Sequence, residues 1–108
     1  MTIVPRVRIS KFAREQIAAL PPEPKRRVRA ALRLLTISPE SGKELKRRLT
    51  GCRSLAIPHY RIIYRVEGSS VDILMVGSRD TIYARLTDAL AGHVAERRLR
   101  WRRAGRTR

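Results

Sequence analysis

The sequence predicts an α+β fold: an N-terminal strand and an α-helical hairpin packed on a mainly antiparallel four-stranded sheet, with a C-terminal helix. Three observations carry this. Charged and apolar residues alternate from Arg6 to Ile9, and Tyr60 to Glu67 and Val71 to Gly77 read as two strands whose alternate residues take opposite faces, the two-residue period of a sheet. Between Ala13 and Leu35 the apolar residues instead recur at helical spacing. Glu67-Gly68-Ser69-Ser70 joins the two clearest strands as a hairpin turn.

The elements follow in order. Residues 3–9 form the first strand, with Pro5 placed at its start or on an edge because it has no N–H for a ladder. Ser10 is a candidate N-cap for a helix from Lys11 to Leu20, with Ala13, Ile17 and Leu20 on one face. Pro21, Pro22 and Pro24 end that helix and open a second over about 22–37, where Glu23 suits the positive end of the dipole. Val28, Ala31, Leu32 and Leu35 are its apolar stripe. Residues 38–42 close it, and Lys43 to Arg48 is a basic stretch, either a helical turn or a loop. Gly51 turns the chain into a strand over 53–57, and Pro58-His59 connects it to strands at 60–67 and 71–77. A helix covers 84–91. Helices on one face of the sheet are the expected arrangement.

A chain of 108 residues suffices for one compact domain. Residues 1–92 are expected to be that domain, and 93–108 an arginine-rich C-terminal extension. This arm carries seven Arg, with Trp101 among them. It either continues the helix past Gly92 or forms a disordered arm able to track a phosphate backbone.

Charge is the dominant functional signal. Lys and Arg number 25 against 9 Asp and Glu, a net charge of +16. The cations are mostly Arg, whose planar fork matches phosphate oxygens, so the surplus points to nucleic acid. Cys52 stands alone, which excludes an internal disulfide and points to a reducing cytoplasm. Cys52, His59 and His93 do not make a zinc site, and no metal or other cofactor is implied. Ile3 and Val4 meet Pro5 and then charges, so neither a signal peptide nor a membrane span is expected.

Four segments together carry a resemblance: Leu49-Thr50-Gly51, Arg53 to Ile57, Tyr60-Arg61-Ile62-Ile63-Tyr64-Arg65-Val66, and Val76-Gly77-Ser78-Arg79-Asp80-Thr81-Ile82-Tyr83. In this order, behind a helical hairpin, they resemble the RelE/ParE toxin superfamily over roughly residues 3–90. The resemblance implies the toxin of a type II toxin–antitoxin system. In the RelE branch such toxins cut messenger RNA in the ribosomal decoding site without a metal, which inhibits translation. In the ParE branch they poison DNA gyrase and are not nucleases. It also implies a small antitoxin, expected to be acidic here, in a hetero-oligomeric complex.

By the same resemblance, Arg61 and Arg79 match the phosphate-binding arginines. Tyr83 matches a tyrosine that stacks on a base or takes part in proton transfer. Two positions depart from the RelE pattern. Ser54 and Ala56 stand where that branch often carries basic residues, and neither does acid–base work at neutral pH. Ser78 stands where many relatives have His. His59, in the turn just before Arg61, is a candidate substitute for proton transfer, imidazole being the side chain that exchanges a proton near neutrality. Arg53, Lys46, Arg47 and Arg48 are candidate RNA contacts, and Tyr60 and Tyr64 are read as core. The expected function is a ribosome-dependent mRNA endoribonuclease. The alternatives are a gyrase poison, motivated by Ser54 and Ala56, and a non-catalytic RNA-binding protein, motivated by the arginine-rich arm.

Overall fold

The computed structural model describes the backbone of residues 6–95 and the side chains of residues 6–90. The elements run β1 (Arg6–Ile9), α1 (Lys11–Ala18), α2 (Pro22–Ile37), β2 (Lys43–Glu44), β3 (Arg53–Ile57), β4 (Tyr60–Glu67), β5 (Ser70–Ser78) and α3 (Ile82–Ala95). They form one sheet in the order β1-β5-β4-β3-β2. Only the β1–β5 pair is parallel. The expected position of Pro5 and the arm from residue 96 onward lie outside the described residues. α3 passes through Gly92 without a break, so the expected boundary at residue 92 falls inside a helix.

The helical hairpin forms where its signals stand. Ser10 Oγ accepts from Ala13 N–H at 3.0 Å and donates to Leu74 O at 3.1 Å, capping α1 and tying it to β5. The prolines occupy the first turn of α2, where their missing N–H costs nothing. Glu23 takes Arg26 at 3.2 Å and Arg27 at 3.1 Å one turn on. Ala13, Val28, Ala31 and Leu35 bury one side of the hairpin against Ile62, Tyr64, Val71, Ile73 and Val76.

Two features differ from the expectation. The sheet gains a fifth strand, because Lys43 and Glu44 pair with Ser54 and Arg53 and occupy an edge that β3 would otherwise leave open. The helices are also divided between the two faces. α3 lies opposite the hairpin, where Ile82 and Leu86 join Cys52, Ile63, Leu74 and Met75 in a second core. The runs Ile62-Ile63-Tyr64 and Ile73 to Val76 are buried on both sides, as strands covered by helices on both faces must be.

A bulge accounts for the division. Ile63 is opposite Met75, yet Tyr64 is opposite Ile73, so Leu74 is extra. Leu74 and Met75 both turn to α3, and Val76 returns to the hairpin side with Ile73. Strict alternation would have put Met75 with Ile73 and Val76 with Leu74. Gln16 of α1 closes the irregularity, its Oε1 accepting from Val76 N–H at 2.9 Å.

Candidate functional site

The β3–β4 turn and the end of β5 bring three of the expected residues together. Ile57 and Tyr60 pair, leaving Pro58-His59 as a two-residue loop. His59 has φ 64°, left-handed and uncommon for a residue with a Cβ. Its carbonyl accepts from Arg79 N–H at 3.0 Å, which fixes Arg79 beside the turn. Arg61 is opposite Gly77, two residues before Arg79. Strand spacing therefore puts the two arginine Cα atoms roughly 8 Å apart.

The guanidiniums differ in their surroundings. Arg61 is half-buried, and its Nη1 donates to Tyr60 O at 2.8 Å and to Ile57 O at 3.3 Å. Those bonds steady the group on the turn. Its Nε and Nη2 make no hydrogen bond among the described residues, so donors remain for an anion. Arg79 is exposed, with Nε 3.7 Å from Asp80 Oδ1, a surface pair too loose and too wet to hold it. His59 is also exposed.

Ser54 and Ala56 lie on the same side of the sheet as Arg61. Ala56 is directly opposite Arg61, and Ser54 is opposite Ile63, which faces α3. Ser54 is buried, its Oγ 2.8 Å from Tyr83 Oη. Tyr83, in the first turn of α3, packs half-buried on the second core. The helix reaches the sheet closely because residue 77 is glycine: a Cβ there would come within 2.9 Å of Ile82 Cδ1. Tyr83 thus lies against β3 with its hydroxyl held at Ser54, two residues along the strand from Ala56, the residue opposite Arg61.

The remaining candidates are elsewhere. Arg53 is opposite Tyr64, on the hairpin side. Its Nη1 donates to Gly42 O at 2.7 Å and Glu40 O at 3.3 Å, and its Nη2 lies 3.5 Å from Glu44 Oε2. This guanidinium clamps the segment between α2 and β2. The segment's other holder is Tyr64, fully buried as expected, which accepts from Gly42 N–H and donates to Pro39 O, both at 2.7 Å. Lys46, Arg47 and Arg48 are exposed at the opposite end of β3 from His59.

Sequence reasoning passed over Arg65. Register would have flagged it: it is opposite Asp72 across the β4–β5 pair. Asp72 is taken by Arg8, whose Nε and Nη2 reach its two carboxylate oxygens at 2.7 and 2.9 Å, and by Ser70 Oγ at 3.1 Å. That bidentate contact also holds the Arg8 pKa above its ordinary value. Arg65 is left exposed, with no acidic partner within salt-bridge distance among the described residues.

Comparison with known proteins adds the following. A family model described as the ParE toxin of the type II toxin–antitoxin system parDE matches residues 7–83. A chain in the toxin–antitoxin complex RelBE2 from Mycobacterium tuberculosis is 32% identical; the match covers 71% of this chain and 100% of that one, with a TM-score of 0.67. A chain of the archaeal RelE–RelB complex from Pyrococcus horikoshii is 26% identical over 70% of this chain and 96% of its own, with a TM-score of 0.59. A chain of the chromosomal ParDE system of P. aeruginosa, 14% identical over 71% of this chain and 98% of its own with a TM-score of 0.55, shares the fold. None of the curated proteins compared matches the sequence.

Proposed function

This chain belongs to the ParE toxin family of type II toxin–antitoxin systems, and from the arrangement of its own residues we propose that it acts on messenger RNA at the ribosome as a metal-independent endoribonuclease. The observation that carries this reading is the Arg61 guanidinium, anchored through one nitrogen to the β3–β4 turn with its other donors open, close to Arg79 and His59. The 32% identity to a chain of the mycobacterial RelBE2 complex supports the RelE-like branch.

The chemistry asks little of the protein beyond placement and charge. The ribose 2′-OH loses its proton and attacks the adjacent phosphorus. The bond from phosphorus to the 5′ oxygen breaks, and that oxygen takes up a proton, leaving a cyclic phosphate and a free 5′-OH. Arg61 and Arg79 stabilise the extra negative charge on the five-coordinate phosphate, a contribution worth about 10²–10³ in rate per fixed donor. His59 is the proton carrier nearest to them in the chain. Tyr83 contributes its ring, against which an unpaired base stacks. Its hydroxyl, held by Ser54, is not assigned a proton-transfer role. A partner antitoxin rich in acidic residues would neutralise the +16 surface and cover Arg61 and Arg79.

A second reading, poisoning of DNA gyrase without nuclease activity, is favoured by one observation. On the β3 side of Arg61, Ala56 offers no acid or base, and Ser54 is buried against Tyr83. Induced expression separates the two. Under the nuclease reading, protein synthesis stops before any DNA-damage response, and Arg61→Ala and Arg79→Ala restore growth. An early DNA-damage response with translation still running would replace it with the gyrase reading.

A further inference from the structure

The basic loop between β2 and β3 is built more firmly than a solvated charge run requires. Leu45 N–H donates to Cys52 O at 3.0 Å and Cys52 N–H to Leu49 O at 3.0 Å, closing the loop at its base. Leu49 N–H donates to Lys46 O at 3.1 Å. Thr50 bonds Arg47 O twice, through its N–H at 3.0 Å and its Oγ at 2.7 Å. Leu45 and Leu49 anchor the loop in the α3-side core. Arg47 is held at φ 56°, a left-handed conformation that a residue with a Cβ keeps only when its surroundings impose it. Lys46, Arg47 and Arg48 are all exposed at its rim.

Arg65 extends this patch. Cys52 precedes Arg53, and Arg65 follows Tyr64, the residue opposite Arg53. Arg65 therefore lies beside Cys52 at the loop's base, close enough for its charge to act on the thiol. Arg8 and Ser70 occupy the one carboxylate across the strand from it. No acidic side chain comes within salt-bridge distance of Lys46, Arg47, Arg48 or Arg65 among the described residues. Four cations are thus presented together, three of them on a rigid loop. From Cys52 to Ala56, the residue opposite Arg61, is roughly 13 Å along the strand.

We propose that Lys46, Arg47, Arg48 and Arg65 form a second phosphate-binding surface, which grips the backbone of single-stranded RNA several nucleotides away from Arg61 and Arg79. The identity of the polyanion rests on the RNA-directed reading. The rigidity of the loop means that little conformational freedom is lost on binding. The grip is electrostatic and blind to sequence, positioning the strand without selecting it.

The test is fluorescence anisotropy with the full chain and a short fluorescein-labelled oligoribonucleotide of mixed sequence, 2′-O-methylated so that it is not cut, titrated between about 50 and 200 mM salt. Each cation withdrawn from a single-stranded backbone lowers the slope of log K against log salt by about 0.7. The triple variant Lys46→Ala, Arg47→Gly, Arg48→Ala is expected to lower it by about 2, and Arg65→Ala by about 0.7. Glycine at 47 suits the positive φ, so the loop keeps its shape. Arg29→Ala with Arg33→Ala, two exposed arginines of α2, is expected to leave the slope unchanged. An unchanged slope in the loop variant overturns the proposal. So does an equal fall in the α2 control, which would reduce the effect to net charge. A loop effect on duplex DNA but not on the oligoribonucleotide overturns the RNA assignment. Messenger cleavage is scored separately on the wild type. A loop-dependent slope without cleavage removes the nuclease reading and keeps this surface, whereas cleavage with an unaffected slope removes this surface alone.

Discussion

Removing one oxygen from Tyr83 separates its ring from its hydroxyl. In Tyr83→Phe the 2.8 Å contact with Ser54 is lost, and Ser54, only 6% exposed, is left with an unpartnered hydroxyl. A buried hydroxyl without its partner costs about 1–2 kcal/mol. For a domain of this size that corresponds to a fall in Tm of roughly 4–10 °C. Ser54→Ala removes the same bond but leaves the half-buried Tyr83 hydroxyl able to find water, so its cost is about 1 kcal/mol or less. The double variant should then cost less than the sum, with a coupling energy of about 1 kcal/mol in a urea-denaturation cycle. Cleavage should survive Tyr83→Phe within about threefold, because the ring remains, and fall by about 5- to 150-fold in Tyr83→Ala, taking base stacking as worth about 1–3 kcal/mol. Additive stabilities would refute the hydrogen bond as a coupling between α3 and β3. A hundredfold loss of cleavage in Tyr83→Phe at unchanged stability would refute the assignment of the ring rather than the hydroxyl.

Three further outcomes are expected. Gly42→Ala would set a Cβ 2.7 Å from the buried Tyr64 ring, and should destabilise the chain by about 1–3 kcal/mol in chemical denaturation. Arg47→Gly relieves a left-handed residue at a cost in unfolded-chain entropy, so stability should rise by up to about 1 kcal/mol while RNA affinity falls, a trade measurable by denaturation and anisotropy on the same sample. Burial pushes the Cys52 thiol pKa up, against the opposing charge of Arg65, so the fold favours the neutral thiol. That contribution is complete below the ordinary thiol range and is lost as pH rises through the raised value, so the denaturation midpoint should fall on the alkaline side and fall less in Cys52→Ala. Iodoacetamide should label Cys52 far more slowly in the folded chain than in urea.

Much of the fold was legible because its signals are local. Ser10 as a cap, the prolines opening α2, and the hairpin at Gly68, where φ is 57°, are each decided within a few residues. The bulge at Leu74 was not legible, since an apolar run reads the same with or without an extra residue, and with it went the side of the sheet that α3 covers. Long-range side-chain contacts were hidden for the same reason. Arg53 looked like a free cation until Gly42 and Glu40 were folded beside it. Arg65 looked like an ordinary strand residue until Arg8 claimed Asp72. Composition indicated a polyanion partner but not which of many arginines would be left open to meet it. Ser54 could be read as missing an acid–base function, while its bond to Tyr83 depended on the helix crossing that strand.

The most direct measurement is the mapping of messenger 5′ ends in a translating extract, with wild-type protein beside Arg61→Ala. An RNA phosphate lodged at the β3–β4 turn predicts new 5′-hydroxyl ends within coding sequence for the wild type, reduced about 10²–10³-fold in the variant. Messenger that stays intact under wild-type protein, while DNA broken by gyrase accumulates in parallel, would contradict it.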